Sequence, residues 1–182
     1  MVGRQGGVVP IPLTSQKCAS PSLPQGRPQL ELLYRATRDG WGSADFHRLC
    51  DNQGATVTVV RSANGNVFGG FADAAWKSGG GSYQASAQAF LFLLVSHEGR
   101  APVRMAQNGR NPGSAMRCNP DRSSMFGCGS DLTIHSNANA NTRSNSNVNG
   151  TTYTLPAGAN AKTVLAGSYN FQVAEYEVFR VR

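Results

Sequence analysis

Apolar residues come in short bursts along this chain, and the spacing within the bursts predicts the elements. LELLYRAT, from Leu30, has the apolar density of a strand or a short buried helix. Over residues 44–50, Leu49 and Cys50 follow Phe46 by three and four positions, which predicts a short helix turning all three toward a core. Ser43 stands as its N-cap, and Asp45 places negative charge in the first turn, where the helix dipole favours it. TVTVVR, at 56–61, is β-branched and predicts a strand. Asn64-Gly65 predicts a hairpin through a type I′ turn, whose two central residues both need positive φ. The return strand is residues 66–72. Its Gly69-Gly70 pair removes side chains where a neighbouring element must pack closely.

Further along, Trp76 precedes a Gly/Ser loop at 78–82, and residues 89–96 predict a strand buried on both faces. Residues 99–129 predict a long irregular stretch with short strands around 115–118. DLTIH, at 131–135, alternates like a strand. Residues 136–150 carry Asn at 137, 139, 141, 145, 147 and 149, and are expected to form a surface loop. The last strand spans 170–181, with a break of parity that predicts a bulge near Ala174-Glu175. Many strands with few helices predict a mainly β fold, in which two antiparallel sheets pack as a sandwich flanked by short helices.

Residues 1–29 differ. They hold five of the nine prolines and no acidic residue. Proline fixes φ and removes backbone donors, so this stretch is expected to be a poorly ordered Pro/Gly-rich lead-in to one domain at 30–182.

Composition narrows the class. Only 15% of residues are charged, so Ser, Asn, Thr, Gln and Gly must cover the surface, which suits a loop-rich β protein. The longest apolar run, AFLFLLV, has seven residues, far short of a membrane span. The net charge of +7 suits an anionic partner. The arginines are scattered, however, and no RNP, zinc-finger or helix-turn-helix pattern accompanies them, which argues against nucleic acid. Cys18, Cys50, Cys118 and Cys128 lack close C-x-x-C spacing, so no metal or other cofactor is expected; a disulfide or metal joining Cys118 and Cys128 stays open. Free thiols fit a reducing cytoplasmic compartment. A mitochondrial location or a cytoskeletal structure is the alternative.

Several ordered blocks resemble the TLDc domain family: LLYRATRDG at 32–40, DFHRLCDNQGATVTVVRS at 45–62, NGNVFGGF at 64–71, Trp76, AFLFLL at 89–94, MFGCGSDLTI at 125–134 and LAGSYNFQVAEYEVFRV at 165–181. Gly127 and Gly129 frame its glycine-rich turn, and Cys128 stands where relatives usually carry glycine. Residues 1–29 have no counterpart in these blocks. The resemblance implies a sandwich of two antiparallel sheets edged by helices. It also implies a link to oxidative-stress protection and to the vacuolar-type proton pump, with no catalytic residues to carry over. The expectation is a non-enzymatic interaction domain that binds a protein partner, the proton pump or a larger assembly, through loops at one end and its charged margins.

Two constellations could carry chemistry instead. His47 and Cys50, at i and i+3, share a helical face and could form a His-activated thiol in a redox sensor or enzyme. The plainer reading is a buried Cys and a hydrogen-bonded His. Among the carboxylates Asp51, Asp73, Asp131, Glu175 and Glu177, the last two lie two apart on one strand face and could serve acid–base chemistry. Such a pair could also bind a divalent ion, but the plainer reading is a solvated strand face. A third alternative is a structural part of a cytoskeletal or ciliary lattice.

Overall fold

The computed structural model describes residues 28–128 and 130–182. The sequence expectations for residues 1–27, for Cys18 and for Gly129 lie outside the described residues. Within them, β1 (Leu30–Arg35) leads through a single helical turn, α1 (Ala36–Asp39), into α2 (Ser43–Cys50). Strands β2 (Thr56–Ser62) and β3 (Val67–Ala72) follow, then β4 (Tyr83–Gln84), β5 (Phe90–Val95) and β6 (Val103–Ala106). After a 3-10 turn at Pro112–Ser114 come β7 (Met116–Arg117), β8 (Arg122–Phe126), β9 (Leu132–His135), β10 (Ser144–Ser146), β11 (Asn170–Phe171) and β12 (Val173–Val181). They build two six-stranded antiparallel sheets. The first runs β1-β12-β2-β3-β5-β6 and the second β11-β10-β9-β8-β7-β4. The fold is the β-sandwich that the strand pattern predicts.

Aromatic side chains fill the space between the sheets. Tyr34, Phe46, Trp76, Phe126 and Tyr176 are all buried. Phe46 lies 5.7 Å from Trp76 and 5.9 Å from Tyr176, and Trp76 meets Phe126 edge-on at 5.3 Å. Two polar atoms in this cluster are satisfied internally: Trp76 Nε1 donates to Thr56 Oγ1 at 3.0 Å, and Tyr176 Oη to Ser124 Oγ at 3.0 Å. The paired glycines do what their position in β3 predicts. A Cβ on Gly70 would stand 2.7 Å from Phe126 Cζ. One on Gly69 would strike the Thr58 carbonyl oxygen and come within 2.9 Å of Phe92 Cζ.

Several sequence expectations are corrected. Ser43 is the first residue of α2, and the N-cap is Gly42. The Asp45 carboxylate folds back to accept the Gly42 N–H at 3.2 Å, so a side chain inside the helix does the capping. In the β2–β3 hairpin only Gly65 has positive φ (92°), and Asn64 does not. Gly65 N–H donates to Ser62 O and Ser62 N–H to Asn66 O. This is the three-residue turn with glycine in the left-handed position, not a type I′ turn. Strand β5 buries Leu91 and Leu93 on one face only, whereas Phe90 and Phe92 are half-buried and Leu94 and Val95 exposed. Residues 99–129 are also more regular than predicted, for β6 and β8 lie within them.

The Asn-rich stretch is not wholly a surface loop. It contributes β10 and buries Ala138 and Val148. Ahead of β10 its asparagines form local bonds; Asn141 Nδ2, for example, donates to Asn137 O at 2.6 Å. The predicted final strand is two. Asn170–Phe171 pairs in the second sheet and Val173–Val181 in the first, with a register shift between Val173 and Glu175 where the bulge is expected.

Gly70→Ala is expected to lower stability by about 1–3 kcal/mol, the usual scale of overpacking. Gly69→Ala should cost more, because the atom it meets belongs to the main chain and cannot swing aside. Urea denaturation of the two variants checks this order; an equal or smaller loss for Gly69→Ala would show that β2 can shift.

Candidate functional site

Helix α2 brings His47, Cys50 and Asp51 to the margin between the sheets, but it does not join the first two. His47 Nδ1 faces Asp51 Oδ1 at 2.8 Å. Its Nε2 donates to the main-chain oxygens of Asn119 (3.0 Å) and Arg122 (2.9 Å). Both ring nitrogens are therefore occupied. Asp51 also accepts from Ser78 Oγ, and its backbone bridges Trp76. The cluster ties the end of α2 to the loop after Trp76 and to the turn ahead of β8. Cys50 is fully buried, and burial, followed by the charges of Asp51 and Asp39, pushes its thiol well above the usual range. A thiolate nucleophile needs the reverse: exposure and nearby positive charge.

Glu175 and Glu177 share the outer face of β12, as their spacing predicts, and meet partners at the end of β1 and in the α1 turn. Glu177 pairs with Arg35 at 2.5 Å, and Glu175 accepts from the Thr37 hydroxyl at 2.7 Å. These contacts pin the α1 turn against β12. Asn64 accepts from Ser62 Oγ at 2.5 Å and donates to Ala166 O at 2.8 Å, joining the hairpin tip to the second sheet's loop. Gly127 has φ of 82°, so its turn needs glycine there. Cys118 is buried, Cys128 is half-buried, and Cys50, Cys118 and Cys128 are free thiols. Among the described residues no group of three or more His, Cys, Asp or Glu is placed to hold a metal ion, and no helix is long and apolar enough to cross a membrane.

What the sequence missed is the outer face of the first sheet. Facing outward in register across five strands stand Leu32, Phe179, Val57, Phe71 and Phe90. Each is only half-buried. The next row carries Val59 and Phe92 between the charged Glu177 and Arg104. Phe71 stacks on Phe90 at 5.3 Å, and the Arg104 guanidinium lies 4.2 Å over the Phe90 ring. Pro28, Leu30, Val57, Phe71, Phe90 and Val181 line a groove of about 420 Å³ here. The sequence does hold the signal. β3 and β5 are apolar at both parities, and β2 carries Val57 and Val59 on the parity that faces away from the core, so these positions form this face.

The architecture defines an antiparallel two-sheet sandwich with one short amphipathic helix at its margin. The family model of the TLDc domain matches residues 14–182, and the chain belongs to the TLDc domain family. The match starts ahead of β1, inside the stretch for which the sequence blocks found no counterpart. No curated protein matches this chain.

Two outcomes follow for stability. His47→Ala removes the partner of two carbonyls and a carboxylate, and should cost about 2–4 kcal/mol in urea melts. A cost near zero would mean that water replaces the ring freely.

Above neutral pH, the folded Cys50 thiol keeps its proton where an unfolded thiol, at about pH 8.5, has lost it. The folded state then binds more protons, so the stability present below that pH falls as pH rises, by up to about 1.4 kcal/mol per unit. Buried Tyr34, Tyr153 and Tyr176 shift the same way and steepen the fall above about pH 10. On the acid side, burial, with the charges of Arg122 and Arg143, pushes His135 from 6.5 down to about 4. An unfolded ring takes its proton first, so stability also falls as pH drops through that window. Urea melts from pH 4 to 11 should show both limbs, with Cys50→Ala flattening the onset of the alkaline one and His135→Gln the acid one. Unchanged limbs in these variants would contradict the assignment.

Proposed function

We propose that this chain is a non-enzymatic protein-interaction domain of the TLDc type, acting in oxidative-stress protection through the vacuolar-type proton pump. The observation that carries this reading is the outer face of the first sheet, where a cross-strand row of Leu32, Phe179, Val57, Phe71 and Phe90 meets solvent. Half-buried aromatic rings in a contiguous patch mark binding surfaces more often than ordinary surface. The partner presents a short apolar segment to this groove, and the net charge of +7 favours an acidic surround. Membership of the family supports this pathway, and the face supports this mode of contact. The chemistry-bearing side chains fit this division: His47, Asp51, Glu175 and Glu177 are held in bonds that brace the fold beside the face.

The test is a crosslinking pull-down from the source cell with the full chain as bait, run beside Phe71→Asp and Phe90→Asp. Proton-pump subunits should be captured by the parent chain. Each aspartate should reduce capture by at least about tenfold while circular dichroism shows the sandwich intact. Capture that ignores both substitutions would move the contact off this face. No proton-pump subunit captured by folded bait would remove the pathway.

A further inference from the structure

Three Asn-Gly pairs, Asn64-Gly65, Asn108-Gly109 and Asn149-Gly150, offer the same intramolecular reaction. The glycine nitrogen gives up its proton to water and attacks the asparagine Cγ. An N–Cγ bond forms, the Cγ–Nδ2 bond breaks, and ammonia leaves with a proton from solvent. The cyclic imide that remains is opened by water at either carbonyl, which yields an aspartyl or an isoaspartyl residue. One amide is thereby hydrolysed to a carboxylate and ammonium, and only water is consumed. Glycine suits the attack because it has no Cβ to obstruct its nitrogen.

The surrounding space does not separate the three pairs. Each glycine has positive φ, at 92°, 77° and 80° in chain order, and a Cβ built on any of them would meet nothing within 4 Å. Exposure separates them only in part, since Asn64 and Asn149 are both exposed and Asn108 is half-buried. In all three, Oδ1 accepts the N–H two residues on: Asn66 at 3.5 Å, Arg110 at 3.0 Å and Thr151 at 3.0 Å. This Asx turn folds the side-chain amide back over the glycine nitrogen.

Hydrogen bonding to the reacting groups does separate them. At the first pair both groups are engaged: Gly65 N–H donates to Ser62 O at 3.0 Å, and Asn64 Nδ2 donates to Ala166 O at 2.8 Å. At the second the leaving nitrogen is anchored, since Asn108 Nδ2 donates to Gly150 O at 2.6 Å. At the third, neither Gly150 N–H nor Asn149 Nδ2 meets an acceptor among the described residues. Asn149 Oδ1 instead takes a second donor, the Thr151 hydroxyl, at 2.5 Å. Attack on Cγ moves negative charge onto this oxygen, and two donors already aimed at it stabilise that charge.

The neighbours of Asn149 decide what the change does. Gly150 O accepts from Asn108 Nδ2 and from Arg110 Nη1, Thr151 O from Asn111 Nδ2 at 2.8 Å, and Thr152 O from the Asn108 N–H at 3.0 Å. An aspartyl product keeps the main chain as it is and adds one negative charge. An isoaspartyl product adds its Cβ to the main chain directly ahead of the Gly150 carbonyl, which displaces that carbonyl from its partners.

We propose that Asn149 is a site of spontaneous, enzyme-free deamidation in the folded chain, and that its isoaspartyl product loosens the hold of residues 149–152 on residues 108–111. The site shares no residue with the outer face of the first sheet, and it stands or falls independently of the docking reading.

The test incubates the full chain at mildly alkaline pH and follows the three Asn-Gly peptides by mass spectrometry, beside the same chain in urea. In the folded chain Asn149 should convert several-fold faster than Asn108, with Asn64 slowest; in urea the three rates should converge. Equal rates in the folded chain, or Asn149 behind either of the others, would overturn the proposal. Thr151→Ala should slow conversion at Asn149 several-fold in the folded chain and leave the urea rates alone. An unchanged folded rate would overturn the role given to the hydroxyl. In the isoaspartyl form, separated by ion exchange, the Asn108 amide should exchange its hydrogen several-fold faster than in the parent, and equal exchange would overturn the loosening. Asn149-Gly150-Thr151 also fits the acceptor pattern for an N-linked sugar, and a glycan on Asn149 in chain taken from the source cell would consume the same nitrogen and overturn the proposal.

Discussion

The seat of Phe126 on Gly70 is the constraint from which the rest of this structure follows. One ring from the second sheet lies where a first-sheet residue has no side chain, and any Cβ there would overlap it. That contact sets how closely the sheets approach, and Trp76 and Phe46 continue the packing toward α2 and β12. Edge-on aromatic pairs each add about 0.5–1.5 kcal/mol beyond their buried area, so this cluster is a large share of what holds a marginally stable domain. The neighbouring Gly69 has a matching role on the other side of the strand. It lets the Phe92 ring settle against the sheet and so helps form the outer apolar face.

Because the sheets are fixed in this way, the polar side chains at the margin become braces. His47 and Asp51 join three segments: the end of α2, the loop after Trp76 and the turn ahead of β8. Glu175 and Glu177 hold the first helical turn to the last strand. A histidine whose two nitrogens are both occupied has no free atom with which to activate Cys50, and the buried thiol sits beside negative charge. The chemistry that helical spacing allowed is thus given over to stability. The feature left without a structural task is the row of phenylalanines facing solvent.

Local signals made half of this fold legible. The β2–β3 hairpin, helix α2, the close approach at Gly69-Gly70 and the bulge at Glu175 each follow from a few adjacent residues. The second sheet was harder to see. Outside β9, Ser123, Ser124, Ser144 and Ser146 are buried in its strands, so no alternation of apolar and polar positions marks them. Their burial depends on loops from distant parts of the chain. The run at 89–96 misled in the opposite sense. Apolar residues at both parities predict a strand covered on both sides, while the fold buries Ala89, Leu91 and Leu93 on one face. A sequence shows that a face is apolar; only the tertiary arrangement shows whether the rest of the domain covers it. The hairpin turn was misassigned for a smaller reason, since Asn-Gly serves a three-residue turn as well as a two-residue one and the flanking register decides between them.

Recognition by the outer face is the central claim, and hydroxyl-radical footprinting tests it most directly. Phe71, Phe90 and Phe92 would be compared in the chain alone and in the chain bound to the proton pump, with buried Phe46 and Phe126 as internal controls. The account predicts that the three outer phenylalanines oxidise several-fold more slowly in the complex while the two controls do not change. Equal rates at the outer phenylalanines in both states would contradict it.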